Sequence, residues 1–239
     1  MSASIGSGLF KKMVPNFPHL SQGSHGMTGE IADLRRDIAF TLTPLAAICI
    51  EEYTAPPAAV PAAIMAVTAS STSAQTYSLA ALTGSIGRGA ISPPRNLTVT
   101  TAGVGADAPA SVTINGIDIN GSVISETLSG TNATGTVTGA KCFAKVTSVV
   151  TPAAAAADAT ISVGTGIVVG LANKPKIRTG AALPLVRREL VDGALVATGV
   201  LTLPATNLPN GAYTPAAAPN GTHNYAIEYE FDASLQPDQ

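Results

Sequence analysis

Few side chains in this sequence are of the kinds that do chemistry, and their spacing argues against most reactions. The chain has three histidines and two cysteines. His19 and His25 fall in a Gly/Ser/Pro-rich N-terminal stretch, a poor support for a preorganised site. His223 opens a C-terminal run of strand character. No two histidines have metal-ligand spacing, and neither Cys49 nor Cys142 has a second ligand close by. Both cysteines are expected to be free, buried thiols, which fits synthesis in a reducing cytosol. Gly116-Ile-Asp118-Ile-Asn120-Gly121 has the look of a calcium loop. Aligned on Gly121, however, it puts Gly116 at the first ligand position and Thr127 at the twelfth, so both essential acids are missing. There is no Gly-x-Ser-x-Gly elbow and no phosphate-cradling Gly-rich loop. The sequons at Asn96, Asn132 and Asn220 read as accidental without a secretion signal. An enzyme would need acids such as Asp118 and Glu126 in one cleft. The expectation is no enzyme, no cofactor and no metal.

Two rows of charge remain. Lys174, Lys176 and Arg178 alternate around Pro175 and Ile177, which puts three cations on one side of an extended segment. Glu228, Glu230 and Asp232 do the same with acids. The bland reading is two solvated faces. If the segments were neighbours the rows could pair across strands, and if they faced different subunits they would set orientation.

The elements that carry these residues read mainly as β. Asn96–Thr101, Ser111–Ile119, Ser122–Leu128, Thr134–Thr138, Cys142–Val150, Ala159–Val169 and Val196–Leu203 are expected strands, with a long loop over 204–222. Asn120-Gly121 is a strong hairpin signal. A two-residue turn there would set Ile119 against Ser122 and Ile117 against Ile124. Val112 and Ile114 have the opposite parity, so a bulge near Asn115-Gly116 is expected to repair it. His223–Asp232 alternates most cleanly, with Tyr225, Ile227, Tyr229 and Phe231 on one face and acids on the other. Upstream, Thr28 caps an amphipathic helix along Ile31, Leu34, Ile38 and Leu42, which ends before Pro44. Residues 1–27 read as an extended arm whose apolar anchors are Leu9, Phe10, Val14 and Phe17. The organisation expected is therefore an arm over 1–27, a helix plus Pro/Ala-rich connector over 28–92, and a β domain over 93–239. The fold class is an antiparallel β-sandwich, jelly-roll or Ig-like.

Composition narrows the function. Of 239 residues, 12% are charged and 46% hydrophobic, with 41 Ala, 23 Gly, 17 Pro and no Trp. Ordinary soluble domains carry about 25% charge. A net charge of -2 gives no footprint for nucleic acid or for an anionic membrane. The most apolar stretch, Ile38–Ile50, is broken by Pro44 and falls short of the ~20 residues a bilayer span needs. A chain this low in charge is expected to bury much of its surface on partners.

Several segments together carry a resemblance. They are Pro93-Pro-Arg-Asn-Leu-Thr-Val-Thr-Thr-Ala-Gly103, Asn115-Gly-Ile-Asp-Ile-Asn-Gly121 with Ser125-Glu-Thr-Leu128, and Cys142-Phe-Ala-Lys-Val-Thr-Ser148. Leu208-Pro-Asn-Gly-Ala-Tyr-Thr-Pro215 and Asn224-Tyr-Ala-Ile-Glu-Tyr-Glu-Phe231 complete the set. From about residue 31 onward the chain resembles virion structural proteins of tailed bacteriophages, β-rich polypeptides encoded among head and tail genes. The resemblance implies a structural role and no active site. The expected function is a head decoration (cement) protein on the outer capsid surface, made in the host bacterial cytoplasm. Its expected partners are the major capsid protein and itself, as a homotrimer. The arm residues Leu9, Phe10, Val14 and Phe17 would be anchors, with Lys174, Lys176 and Arg178 as orienting charges. A tail-tube, neck or baseplate component is the first alternative, and a receptor- or glycan-binding module the second. The missing Trp and the core-facing Tyr225, Tyr229 and Phe231 argue against the glycan platform.

Overall fold

Runs of Thr, Val and Ile with period-two alternation leave strands as the only economical way to bury one face and wet the other. The computed structural model describes residues 47–175, 186–202 and 211–231, all within the compact unit Ala46–Gln239. The arm expected over 1–27 and the helix expected from Thr28 to Leu42 lie outside the described residues.

The described chain is mainly antiparallel β, in three sheets. The first orders β1 (Ala47–Tyr53), β14 (Tyr225–Phe231), β10 (Val186–Val191) and β11 (Ala194–Val196). The second orders β12 (Val200–Thr202), β13 (Ala212–Thr214), β9 (Ala159–Gly170), β4 (Arg95–Gly103) and β7 (Gly135–Phe143), and β2 (Met65–Ala69) also pairs with β9. The third orders β3 (Gln75–Ser78), β8 (Lys145–Thr151), β5 (Ser111–Ile117) and β6 (Val123–Ser129). From residue 47 on, the expected connector supplies β1, β2 and β3, which pair with β14, β9 and β8, all beyond residue 92.

Two large apolar clusters hold these sheets, with a small third one of Cys142, Ala212 and Val168. The larger takes Leu97, Val99, Ile161 and Val163 from the second sheet and Val112, Ile114, Val146 and Val149 from the third. The smaller takes Ile227 and Tyr229 from the first sheet and Val169, Leu201 and Tyr213 from the second. The strand β9 serves both, with its first half in one cluster and its end in the other.

That double duty needs an interruption, and β4 provides it. Arg95 pairs with Val169 and Leu97 with Thr165, so β9 carries two extra residues against β4. Asn96 pairs with Cys142 and Thr98 with Thr138, so β7 carries two extra as well. Asn96, fully buried, bridges both bulges. Its Nδ2 donates to Gly139 O at 2.9 Å and its Oδ1 accepts from Val168 N at 3.0 Å. Its neighbour Arg95, 2% exposed, donates through Nε and a terminal nitrogen to Gly166 O at 2.9 and 2.5 Å, and through the other to Pro57 O at 2.9 Å. Glycine is required at 166, because a Cβ there would lie 2.3 Å from Asn96 Oδ1.

The β5–β6 hairpin departs from expectation. Ile117 faces Val123 and Gly116 faces Ile124, because the turn has three residues and not two. Asp118 makes the difference: its Oδ1 accepts from Asn120 N and Ser122 N, both at 2.9 Å, and Gly121 takes φ +78°. The added turn residue keeps Val112 and Ile114 buried without any bulge against β6. The irregularity near Asn115-Gly116 lies against β8, where Thr147 is the extra residue.

The C-terminal elements differ too. The expected strand Val196–Leu203 splits into β11 and β12 around Gly199, where a Cβ would stand 2.0 Å from Thr214 O. The expected loop over 204–222 contains β13. In β14 Tyr225, Ile227 and Tyr229 are buried as expected, but Phe231 is half-buried and Glu230 on the opposite face is buried too. His223 precedes the strand and does not open it.

Replacing Asn96 by Ala leaves Gly139 O and Val168 N buried without partners. At about 1–3 kcal/mol for each orphaned group, the variant should lose about 2–6 kcal/mol in urea unfolding. An Asn96→Ala protein as stable as the parent would show that the bulges do not need the bridge.

Candidate functional site

Four polar centres could carry function: three are buried or half-buried on strands, and the fourth is exposed at a turn. The first centres on Glu51 of β1, 8% exposed. Its carboxylate accepts from Tyr53 OH at 2.5 Å, from Tyr229 OH, and from Ala172 N at 2.9 Å. Burial, and then the Glu51 charge, push both tyrosine hydroxyls upward, so they stay protonated donors. Cys49, half-buried beside them, accepts from Asn173 Nδ2 at 3.1 Å. Burial raises its pKa, and Glu51 adds to this, so the thiolate, the form that reacts, is disfavoured.

The second centre is Glu189 of β10, which is fully buried. Its Oε2 accepts from Tyr213 OH at 2.6 Å, Gly199 N at 2.9 Å and Ala216 N at 3.3 Å. Its Oε1 has no partner. The arrangement ties the first sheet to β12 and β13 of the second through one side chain. A carboxylate held by three donors, with no cation among its hydrogen-bond partners, acts as a structural acceptor.

The third is Glu126 of β6, which caps the β7 bulge. Its Oε1 accepts from Ala140 N at 2.7 Å and Lys141 N at 3.2 Å, while Lys141 Nζ returns a bond to Ser125 O at 2.6 Å. Asp118 is occupied in its own turn, so the two acids have separate backbone tasks. Cys142, on the same bulged strand, is buried, and burial with Glu126 nearby pushes its thiol up to about 12.

The fourth joins Asp192 to His223. The β10–β11 turn has Asp192 at φ +50° and Gly193 at φ +79°, the two-residue mirror-image turn that Asp-Gly favours. Asp192 accepts from Asn224 N at 2.9 Å and lies 2.6 Å from His223 Nδ1. Those contacts hold its carboxyl below the usual range, the backbone bond foremost.

The acidic row is not a solvated face. Glu230 is 3% exposed and pairs with Arg187 at 2.9 Å, and Glu228 pairs with Arg188 at 2.5 Å. The cations come from β10, which runs antiparallel beside β14. Lys174 is half-buried next to Pro175, which bridges Phe231. Lys176, Arg178, Asp232 and the arm residues Leu9, Phe10, Val14 and Phe17 lie outside the described residues. Asn96 is buried with both amide atoms bonded, so its sequon offers no attachment point.

An open groove of about 450 Å3 runs over the double bulge, floored by Thr98, Thr100, Thr136 and Thr138 and flanked by Pro61 and Ile167. The hydroxyls of Thr100 and Thr136 bond each other at 3.0 Å. Among the described residues no group of three or more His, Cys, Asp or Glu side chains could hold a metal ion. None of their helices is long and apolar enough to cross a membrane, which says nothing of a β-barrel. No family profile, curated protein or solved structure matches the chain.

Sequence reasoning passed over Arg187, Arg188, Glu189 and Glu51. The Asp192-Gly193 turn between Val191 and Ala194 was a usable signal for β10 and β11.

Glu189→Ala removes the acceptor of three donors, the buried Tyr213 hydroxyl among them, and should cost about 3 kcal/mol or more. Glu189→Gln keeps an acceptor without the charge and should cost less than about 1 kcal/mol. Chemical denaturation of both variants checks the contrast, and equal losses would refute the acceptor role. For Asp192 the folded value lies below the unfolded one. Its contribution is therefore present above the ordinary carboxylate range and is lost as the pH falls through the depressed value. A carbon-detected NMR titration should give Asp192 a midpoint below that of the same residue in a short peptide, and Asn224→Pro, which removes the backbone donor, should raise it.

Proposed function

We propose that this chain is a structural virion protein: a decoration (cement) protein that binds the assembled head of a tailed bacteriophage and stabilises it. The observation that carries the reading is the placement of apolar side chains on the outside of a low-charge β body. Ile48, Ile50 and Leu195 of the first sheet, Val67 of the second and Val123 of the third stand 46 to 86% exposed. The adjacent pair Ile48 and Ile50 on one face of β1, in a chain with so little charge, suits a protein covered by partners in its working state. The buried ionisable groups point the same way, since they are spent on joining strands and not on a cleft. The sequence resemblance supplies the particle.

In this reading the sheets that share the larger cluster form an antiparallel sandwich, and three copies gather about a symmetry axis of the shell. The N-terminal arm, through Leu9, Phe10, Val14 and Phe17, anchors on a neighbour, and Lys174, Lys176 and Arg178 set orientation. The partners are the major capsid protein and other copies of the chain, with no catalytic step. Because the protein binds the assembled shell and not its free subunits, it stabilises the shell by mass action.

The test is the number of copies per purified virion, by quantitative mass spectrometry against the major capsid protein. A count comparable to the capsid protein is expected. A count near a single ring would retire the cement role in favour of a neck, tail-tube or baseplate component.

A further inference from the structure

The edges of the three sheets are treated unequally. Free strand edges invite pairing, and proteins blunt them by shortness, bulges, basic residues, proline or a covering contact. Most edges here carry such a device. The strands β11 and β12 have three residues each and β3 has four. The pairing of β2 with β9 is irregular. The paired edges β6 and β7 are tied to each other by Glu126 and Lys141, and β7 is bulged.

Among the described residues β1 has less of this protection: it is neither short nor bulged, and its only charges are the acids Glu51 and Glu52 toward one end. It has seven residues, AICIEEY, with no proline and no Lys or Arg, and it runs against β14 in unbroken register from Ala47 to Tyr53. No hydrogen bond from another described residue occupies its outer edge. Its outward side chains, Ile48 and Ile50, are 46 and 54% exposed. It is the long, flat, apolar edge that the rest of the molecule avoids.

We propose that the outer edge of β1 pairs with β1 of a second copy of this chain, antiparallel about a twofold axis. The charge pattern selects this occupant. In an antiparallel ladder centred on Cys49, Ile48 faces Ile50 of the partner subunit, and Glu51 faces Ala47 of the partner subunit. The acids of the two strands then fall at opposite ends of the ladder. A parallel pairing would set Glu51 and Glu52 against their own copies, which like charge disfavours. An isologous contact also needs only the one self-complementary edge. The contact is independent of the proposed role in the virion. Where copies also assemble about a threefold axis, the β1 pair joins one assembly to the next.

Light scattering coupled to size exclusion on the full-length chain tests the proposal, with hydrogen exchange read over β1. The parent should be an even-numbered species with slowly exchanging β1 amides. Ile50→Lys should halve the mass and speed exchange at β1, with the circular dichroism unchanged. Val123→Lys, which alters an exposed residue of β6, should leave the mass alone. If Ile50→Lys fails to fold, Ile48→Thr with Ile50→Thr keeps strand propensity and should weaken the association at least tenfold. A parent that stays monomeric at high concentration overturns the proposal, as does a folded Ile50→Lys protein with the parent's mass. Protection of β1 in a monomer also overturns it, since the edge would then be covered by the chain's own residues. None of these outcomes depends on copy number in a virion.

Discussion

The constraint on which the rest of the unit depends is that one strand belongs to two cores. The strand β9 packs Ile161 and Val163 into one apolar cluster and Val169 into the other. A regular strand would run straight through a single cluster. The extra residues of β9 and β7 break the ladder opposite Asn96, and broken ladders leave buried amides and carbonyls that cost free energy when unpaired. Asn96 is suited to the gap because one amide group offers both a donor and an acceptor. Arg95 completes the repair by donating to carbonyls alone, Gly166 and Pro57. A guanidinium buried among carbonyls, with no carboxylate, loses part of its affinity for its proton, and burial is the leading cause. It stays charged nonetheless, because its ordinary value lies so far above neutrality.

The same economy recurs at several of the acids. Glu51, Glu126 and Glu189 accept mainly from backbone amides and tyrosine hydroxyls, where catalytic carboxylates would face a cavity or one another. Glu51 and Glu189 also tie the first sheet to the chain beside it: Glu51 accepts from Ala172 N after β9, and Glu189 from Tyr213 of β13. With five Phe, five Tyr and no Trp, the chain has few large anchors. Directional bonds from a handful of acids do part of the work that bulk does in richer cores. Such bonds fix register more sharply than small aliphatic contacts, because a one-residue slip would strand them.

How much of this could be read in the sequence follows from how local each feature is. Period-two runs gave β4, β5, β6, β9 and β14 nearly in place, since alternation depends only on neighbouring residues. The hairpin at Asn120-Gly121 was legible as a turn but not in its length. Asn-Gly serves two-residue and three-residue loops alike, and the choice was made by Asp118, two residues upstream, capping two amides. The roles of Arg187 and Arg188 were hidden because β10 meets β14 across some forty residues, and nothing local marks which cations an acidic strand will face. Glu189 and Glu51 were hidden for a related reason. A carboxylate reads as surface until the donors that bury it are known, and those donors come from β13, β14 and the segment after β9. Among the expected site residues, only Lys174 falls within the described chain, half-buried at the Pro175–Phe231 bridge.

The contrast between guarded and unguarded edges turns these details into an argument about assembly. A sheet edge is expensive to leave bare in a chain with little charge, because the usual deterrent to stray pairing is Lys or Arg on the edge. Here 13 basic residues serve the whole chain, and Arg187 and Arg188 are committed to Glu230 and Glu228. The fold therefore guards its edges by geometry, with short strands, irregular pairing and the Glu126–Lys141 tie. Geometry of that kind is specific to each edge, so its absence at one strand carries information that missing charge alone would not. Among the described strands, where most other edges carry such a guard, the regular and apolar β1 is where a further strand can be added without breaking a bond already made.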